Sequence, residues 1–269
     1  SRIKTFITAT MIVAAICCME RPAASQTSDY RAPRLTDGRP DMNGIWQALN
    51  EANWNIEAHA ADFAVLPELG AQFAVPPSVG VVNGGPIPYL PEALDQRNQN
   101  FENRLELDPE VKCYMPGVPR GTYMPYPFQI VQSQDVIMFS YEFAGAVRII
   151  NMGEPTQAPA PSWMGWSNGR WEGDTLVVDV TAQNDQTWFD RSGNFHSDAL
   201  HVVERYTPRS ADTLIYEVTI EDPNTFSRPW TISMPLYRRV EENAQIMEFK
   251  CPEFAEEVLY GHLRKPPED

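Results

Sequence analysis

The sequence predicts a mainly β protein: an antiparallel meander closing into a small barrel, lipocalin-like in outline. An irregular, Pro-rich and partly helical extension precedes it. Three observations carry this expectation. From Phe128 onward, short β-branched and aromatic runs recur with turn signals between them. Pro at 24 outnumbers Gly at 15, which disfavours a mainly helical chain because Pro interrupts helices. No βαβ alternation and no internal repeat appears, so a doubly wound sheet or a TIM barrel is not expected.

The expected organisation has three parts, at residues 1–25, 26–112 and 113–269. In the first, Arg2 and Lys4 precede an apolar run from Phe6 to Met19, and small residues follow at Ala23, Ala24 and Ser25. That order is the pattern of a cleaved secretory signal peptide. The run is shorter than the roughly 20 residues a membrane-spanning helix needs. A lipoprotein signal is the alternative, because Cys17 and Cys18 lie in the run. The expected location is the periplasm or the extracellular space, with no membrane span in the mature chain.

The second part reads as an extension. Residues 46–66 suggest a short helix ended by Pro67. Six prolines from Pro67 to Pro91 inclusive, with Gly84-Gly85, forbid regular structure there. Pro91 then opens a helix from Glu92 to about Leu105, since Pro is well placed at a helix start.

The third part supplies the strands: Phe128–Gln132, Val136–Glu142, Ala146–Asn151, Asp174–Thr181, Leu200–Thr207, Thr213–Glu221, Trp230–Val240 and Gln245–Lys250. In Thr213–Glu221, Leu214, Tyr216, Val218 and Ile220 share one face, the alternation of a half-buried strand.

Charge narrows the function. Lys plus Arg is 21 against Asp plus Glu at 36, a formal net charge of −15. Such a chain repels phosphate backbones, so nucleic acid is not an expected partner. No phosphate-cradling Gly loop, dinucleotide fingerprint or haem-attachment motif is present, so no cofactor is expected. Two cysteines lie beyond the signal, Cys113 and Cys251, and they bracket the strand-rich region. In an exported chain such a pair reads as one disulfide, with two unpaired thiols as the alternative.

Several residues are candidates for chemistry. Gly165-Trp166-Ser167-Asn168-Gly169 spells GxSxG, but a nucleophile elbow needs a helix after the serine, and a strand follows here. A Gly-rich turn between strands is the plainer expectation. His196 sits in a polar loop with Asp185, Asp190 and Asp198 nearby. An imidazole beside carboxylates suits general acid–base work, with His196, Asp190 and Asp198 as the catalytic set. The alternative is a histidine that only bonds its loop. Too few nitrogen and sulfur ligands accompany it for a metal site to be expected.

A two-residue hairpin at Ala144-Gly145 would set Tyr141 opposite Arg148. Charged residues inside strand patterns, Arg148 and Glu204 among them, belong either on a solvated face or inside a polar lumen. If Tyr141, Arg148 and Glu204 converge, with Trp163, Trp166 and Trp188 as aromatic walls, they form a small-ligand site. The Pro-rich run Cys113–Phe128 fits across a barrel mouth.

Four phrases carry a resemblance: the run from Ile87 to Gln132 (IPYLPEALDQRNQNFENRLELDPEVKCYMPGVPRGTYMPYPFQIVQ), YEFAGAVR, GRWEGDTLVVDV and GNFHSDALHVVERY. The chain resembles, over roughly residues 40–252, a large family of exported bacterial proteins of unassigned activity. The resemblance implies export and a β-rich fold, and brings no activity with it. Asn168 stands where that pattern has Val, and Ile150-Asn151-Met152 lacks its Asp-Gly turn.

Three functions are expected from different classes. One is a carrier barrel for a small, largely apolar or aromatic molecule. Another is a cofactor-independent lyase, isomerase or hydrolase using His196 with a nearby Asp. The last is a structural or partner-binding envelope protein. The oligomeric state is not legible.

Overall fold

The computed structural model describes residues 30–64 and 74–249. The segment expected to be a signal and Cys251 lie outside these residues. Ten strands follow in chain order: β1 Gly44–Ala48, β2 Val82–Asn83, β3 Phe128–Gln132, β4 Val136–Tyr141, β5 Val147–Asn151, β6 Trp166–Glu172, β7 Thr175–Thr181, β8 His201–Ser210, β9 Thr213–Glu221 and β10 Trp230–Arg238. Nine of them close a barrel in the order β1-β3-β4-β5-β6-β7-β8-β9-β10, and β1 pairs back onto β10. The short β2 adds to the start of β10 through Val82 and Ile232. Closure leaves only short edges exposed, which is how small all-β proteins avoid unpaired backbone.

The barrel is mixed. β5 and β6 run parallel through Ile150–Ser167 and Asn151–Asn168, whereas every other pair of these strands is antiparallel. Residues 152–165 cause this by crossing from the end of β5 back to the other end of the barrel before β6 begins. Asn168 and Trp166 hold the crossover from outside. Asn168 Nδ2 donates to Thr156 O at 3.0 Å, and Trp166 Nε1 donates to Thr156 Oγ1 at 3.1 Å. Gly165–Gly169 is therefore mostly the first half of β6, not a turn. An added Cβ at Gly169 would meet Ile150 Cγ2 at 2.6 Å, so the last glycine of GxSxG permits close packing of β5 on β6.

Residues 46–64 form no helix, and 65 and 66, the end of the helix expected there, lie outside the described residues. Gly44–Ala48 is the strand that closes the barrel, with Trp46 facing Arg238 and Phe128 across its two edges. Turns and isolated bridges occupy 49–64. The expected extension thus contributes a stave, because Ile45 and Trp46 gain more from barrel burial than from a local helix. Gln245–Phe249 is also not a strand, and Lys250 lies outside the described residues. The helix at Pro91 forms as expected: α1 spans Pro91–Glu102, and α2, Arg104–Leu107, follows it.

The two ends of the barrel differ. One end carries tight turns at 133–135, 173–174 and 211–212. The other receives the long connections, of which 49–64, 74–127, 182–200 and 222–229 are described. These pack into a cap that includes α1, α2 and α3 (Arg120–Tyr123), all four residues of α3 being buried. Beneath the cap, Phe128, Ile130, Phe139, Ile150, Val178, Val202, Tyr206, Tyr216, Ile232 and Leu236 fill the barrel as one core.

Candidate functional site

Alternation along three strands places polar groups inside an otherwise apolar barrel. Arg148 and Ile150 point inward from β5, Ser167 from β6, and Glu204 and Tyr206 from β8, all buried. β5 and β8 are not neighbours, so Arg148 and Glu204 meet across the lumen. They form an ion pair in which both side chains are at most 1% exposed. Arg148 Nε donates to Ser167 Oγ at 2.7 Å, and its Nη2 donates to Glu204 Oε2. Glu204 Oε1 accepts Tyr206 Oη–H at 2.9 Å and Tyr216 Oη–H at 2.6 Å. Burial works against the Arg148 charge, but Glu204 beside it raises its pKa overall. Burial holds Tyr141, Tyr206 and Tyr216 above the usual phenol range, so all three keep their protons.

Tyr141 belongs to this cluster, although not opposite Arg148. The turn after β4 includes a 3₁₀ stretch at Phe143–Gly145, and Tyr141 N–H donates to Ala146 O at 2.8 Å. That longer turn shifts the register, so Arg148 faces Phe139. Both side chains still point inward. The Phe139 ring stands 5.8 Å from the guanidinium and 5.3 Å from Tyr206, while Tyr206 and Tyr216 lie 4.8 Å apart.

Two donors in this interior have no hydrogen-bond partner among the described residues: Tyr141 Oη and Arg148 Nη1. Thr122 and Arg148 are polar neighbours of the Tyr141 hydroxyl, yet neither meets it in hydrogen-bond geometry. A buried polar group without a partner costs about 1–3 kcal/mol, so an adjacent pair of them requires a reason. The cap forms their ceiling. Thr122 Oγ1 from α3 lies 3.5 Å from Tyr206 Oη, and an added Cβ at Gly121 would touch the Tyr141 ring at 3.4 Å.

The catalytic candidates lie elsewhere. His196 is buried in the cap, where Nε2 meets Thr187 Oγ1 at 2.6 Å and Nδ1 meets Ser197 O at 2.8 Å. A carbonyl accepts only, so Nδ1 carries the proton and Nε2 accepts from Thr187. Burial lowers the His196 pKa. Asp190 is buried beside it in sequence but bonds other groups: Ile56 N–H, Ser192 N–H, and both the backbone N–H and Nδ2 of Asn194. Burial pushes Asp190 up to about 6 against the pull of these bonds. Asp198 is exposed. No hydrogen bond among the described residues joins His196 to either aspartate, nor to the Arg148 cluster.

The tryptophans also separate. Trp166 points outward onto the crossover, and Trp163 packs on Tyr114 at 5.0 Å. Trp188 is buried in the cap loop, bridged to Phe195. The walls of the polar cluster are instead Phe139, Tyr206 and Tyr216. Ser167, Thr122, Tyr206 and Tyr216 were not anticipated as site residues. For Ser167, Tyr206 and Tyr216 the signal is the inward face of a strand, which only the neighbouring strands define; Thr122 comes from α3 in the cap and carries no such periodic signal.

A second buried network ties the cap together. Arg120, 1% exposed, donates to Asp108 Oδ1 at 2.9 Å, Glu110 Oε2 at 2.7 Å and Asn53 Oδ1 at 2.9 Å. Arg191 donates Nε and Nη2 to the two oxygens of Glu110 and stacks over Trp54 at 4.3 Å. Burial alone would raise Glu110, but Arg191 and Arg120 carry it down to about 2. These bonds fasten residues 53–56, 108–120 and 190–194 to one another.

Among the described residues no cluster of His, Cys, Asp and Glu is arranged to hold a metal ion, and no helix is long and apolar enough to cross a membrane. Compared with known proteins, the chain matches no family model, no curated protein and no solved structure.

Proposed function

We propose that this chain binds a small molecule inside the barrel, beneath the cap, with Tyr141 and Arg148 as its polar anchors. The observation that carries this reading is the adjacent pair of buried, unpartnered donors. Few convergent polar groups among aromatic walls is the usual construction of a small-ligand site. The filled core around them limits the ligand to a compact one, and the cap covers the way in. Native mass spectrometry of wild-type and Tyr141→Phe protein, each from its own compartment, tests it. A small molecule retained by the wild type and lost from the variant supports the reading. Retention by neither overturns it.

A catalytic role built on His196 draws no support from its neighbours, since both ring nitrogens are engaged within the fold. A partner-binding role has one observation in its favour. The outward faces of β3, β4 and β5 carry Val131, Met138, Val147 and Ile149 and no charge, on a chain of net charge −15.

We further propose export by a cleaved N-terminal signal and a Cys113–Cys251 disulfide, on the sequence pattern given above. Sequencing of the mature N-terminus and thiol counting on denatured, unreduced protein test these. An intact Arg2–Met19 segment, or two free thiols per chain, would refute them.

A further inference from the structure

Resting on the interior-site reading, we infer that the group held by Tyr141 and Arg148 is the oxygen of an uncharged carbonyl compound, such as a ketone, aldehyde, ester or amide, and not a carboxylate. The argument begins with charge. Arg148 is already neutralised by Glu204, and both are buried. Tyr141, Tyr206 and Tyr216 are protonated, so the cluster as a whole is neutral. The other buried guanidinium, Arg120, and the partly buried Arg191 are committed to Asp108 and Glu110 in the cap. A carboxylate placed against Tyr141 and Arg148 would therefore be an extra anion beside Glu204 with no cation of its own. In a poorly screened interior that repulsion, with the lost hydration of the ion, outweighs two hydrogen bonds.

Hydrogen-bond type narrows the class from the other side. Arg148 Nη1 can only donate, and the tyrosine hydroxyl has its donor free. An ammonium or guanidinium ligand brings donors alone: the Tyr141 oxygen can accept one of them, but Arg148 Nη1 would be left facing a second cation with nothing to donate to. A carbonyl oxygen carries two lone pairs in one plane and brings no proton that needs an acceptor. Two buried donors on neighbouring side chains are its complement. The same arrangement draws electron density onto that oxygen, so the site is built to polarise a carbonyl as well as to hold it. The surrounding rings of Phe139, Tyr206 and Tyr216 suit the apolar remainder of such a molecule.

The test uses two matched pairs of compact probes on the full mature chain at neutral pH: acetone with acetate, and butanone with propionate, each labelled with carbon-13 at the carbonyl or carboxylate. Binding is read from the carbon-13 resonance during titration of wild type and Tyr141→Phe. Arg148 is left in place because its loss would strand Glu204. The expected result is binding of a ketone at least about tenfold tighter than its carboxylate partner. Its carbonyl resonance should shift as a hydrogen-bonded carbonyl does, and Tyr141→Phe should weaken it about tenfold. Preference for a carboxylate, sensitive to Tyr141→Phe, would overturn the carbonyl assignment while leaving the interior site. Binding of no probe, or binding indifferent to Tyr141→Phe, would overturn both and leave a bridging water as the partner of the two donors.

Discussion

Arg148 and Glu204 meet across the barrel from β5 and β8, two strands separated by two others, and neither is more than 1% exposed. The pair therefore pins opposite sides of the lumen. A buried ion pair is weak evidence of net stability, but breaking one side strands a charge. Glu204→Gln should cost about 3–5 kcal/mol in denaturant unfolding. The double variant Arg148→Met/Glu204→Leu should recover much of that loss. A single variant within about 0.5 kcal/mol of wild type would show that the pair does not set the barrel's stability.

Tyr141→Phe should behave in the opposite way. Its hydroxyl is buried and unpartnered, so removing it leaves the ring packing intact and no new orphan behind. Stability of the ligand-free protein should be unchanged or raised, by up to about 1–3 kcal/mol. A clear fall in melting temperature would mean that the hydroxyl is satisfied in solution.

Acid should loosen the cap first. Glu110 stands near 2 in the fold against 4.5 as an ordinary glutamate. Its folded pKa is depressed, so its contribution is complete above about pH 4.5 and is lost as pH falls towards 2. Glu110→Gln should remove that part of the pH dependence and destabilise the protein at neutral pH. Acid titration of wild type and variant, followed by tryptophan fluorescence of the cap residue Trp54, checks this. Identical acid profiles would contradict it.

His196 should stay neutral where free histidine titrates. Its pKa is lowered by burial, so the unfolded chain takes up the proton first, and folding stability falls as pH drops below about 6.5. A carbon-13 NMR titration of the imidazole should show the Nδ1–H tautomer at pH 7. An imidazole that titrates at or above 6.5 would reopen its acid–base role.

Gly193→Ala should lift α1. Gly193 has φ +81°, and an added Cβ would stand 2.7 Å from Phe101 N and 2.9 Å from Arg97 O. The left-handed backbone alone costs an alanine about 1–2 kcal/mol, and the helix must move as well. Faster amide exchange over Pro91–Glu102, with barrel strands β7–β9 unaffected, is the expected outcome. Uniform protection would show that α1 does not rest on this glycine.

Much of the fold was legible in the sequence because strands announce themselves locally. Thr213–Glu221 and Phe128–Gln132 alternate with period two, and Pro91 marks a helix start. β1 was not legible. Gly44–Ala48 is five residues long, and its partners Phe128 and Arg238 lie 82 and 192 positions from Trp46. The parallel contact of β5 with β6 was hidden for a similar reason, since it depends on how residues 152–165 cross the barrel wall.

For the site, the sequence by itself determined the list of charged and aromatic side chains that strands would carry, Tyr141, Arg148 and Glu204 among them, and the acidic balance of the chain. It could not say which face was inward, because period two gives two equivalent faces until a sheet closes. Only the tertiary structure decided that Arg148 and Glu204 point into the lumen while Trp166 points out. It also decided that His196 and Asp190 belong to separate bonds in the cap. The physical reason is closure: nine strands curling into a barrel turn one side of each into a buried interior. There a guanidinium must find its carboxylate across the lumen, and two remaining donors are left facing each other's neighbourhood.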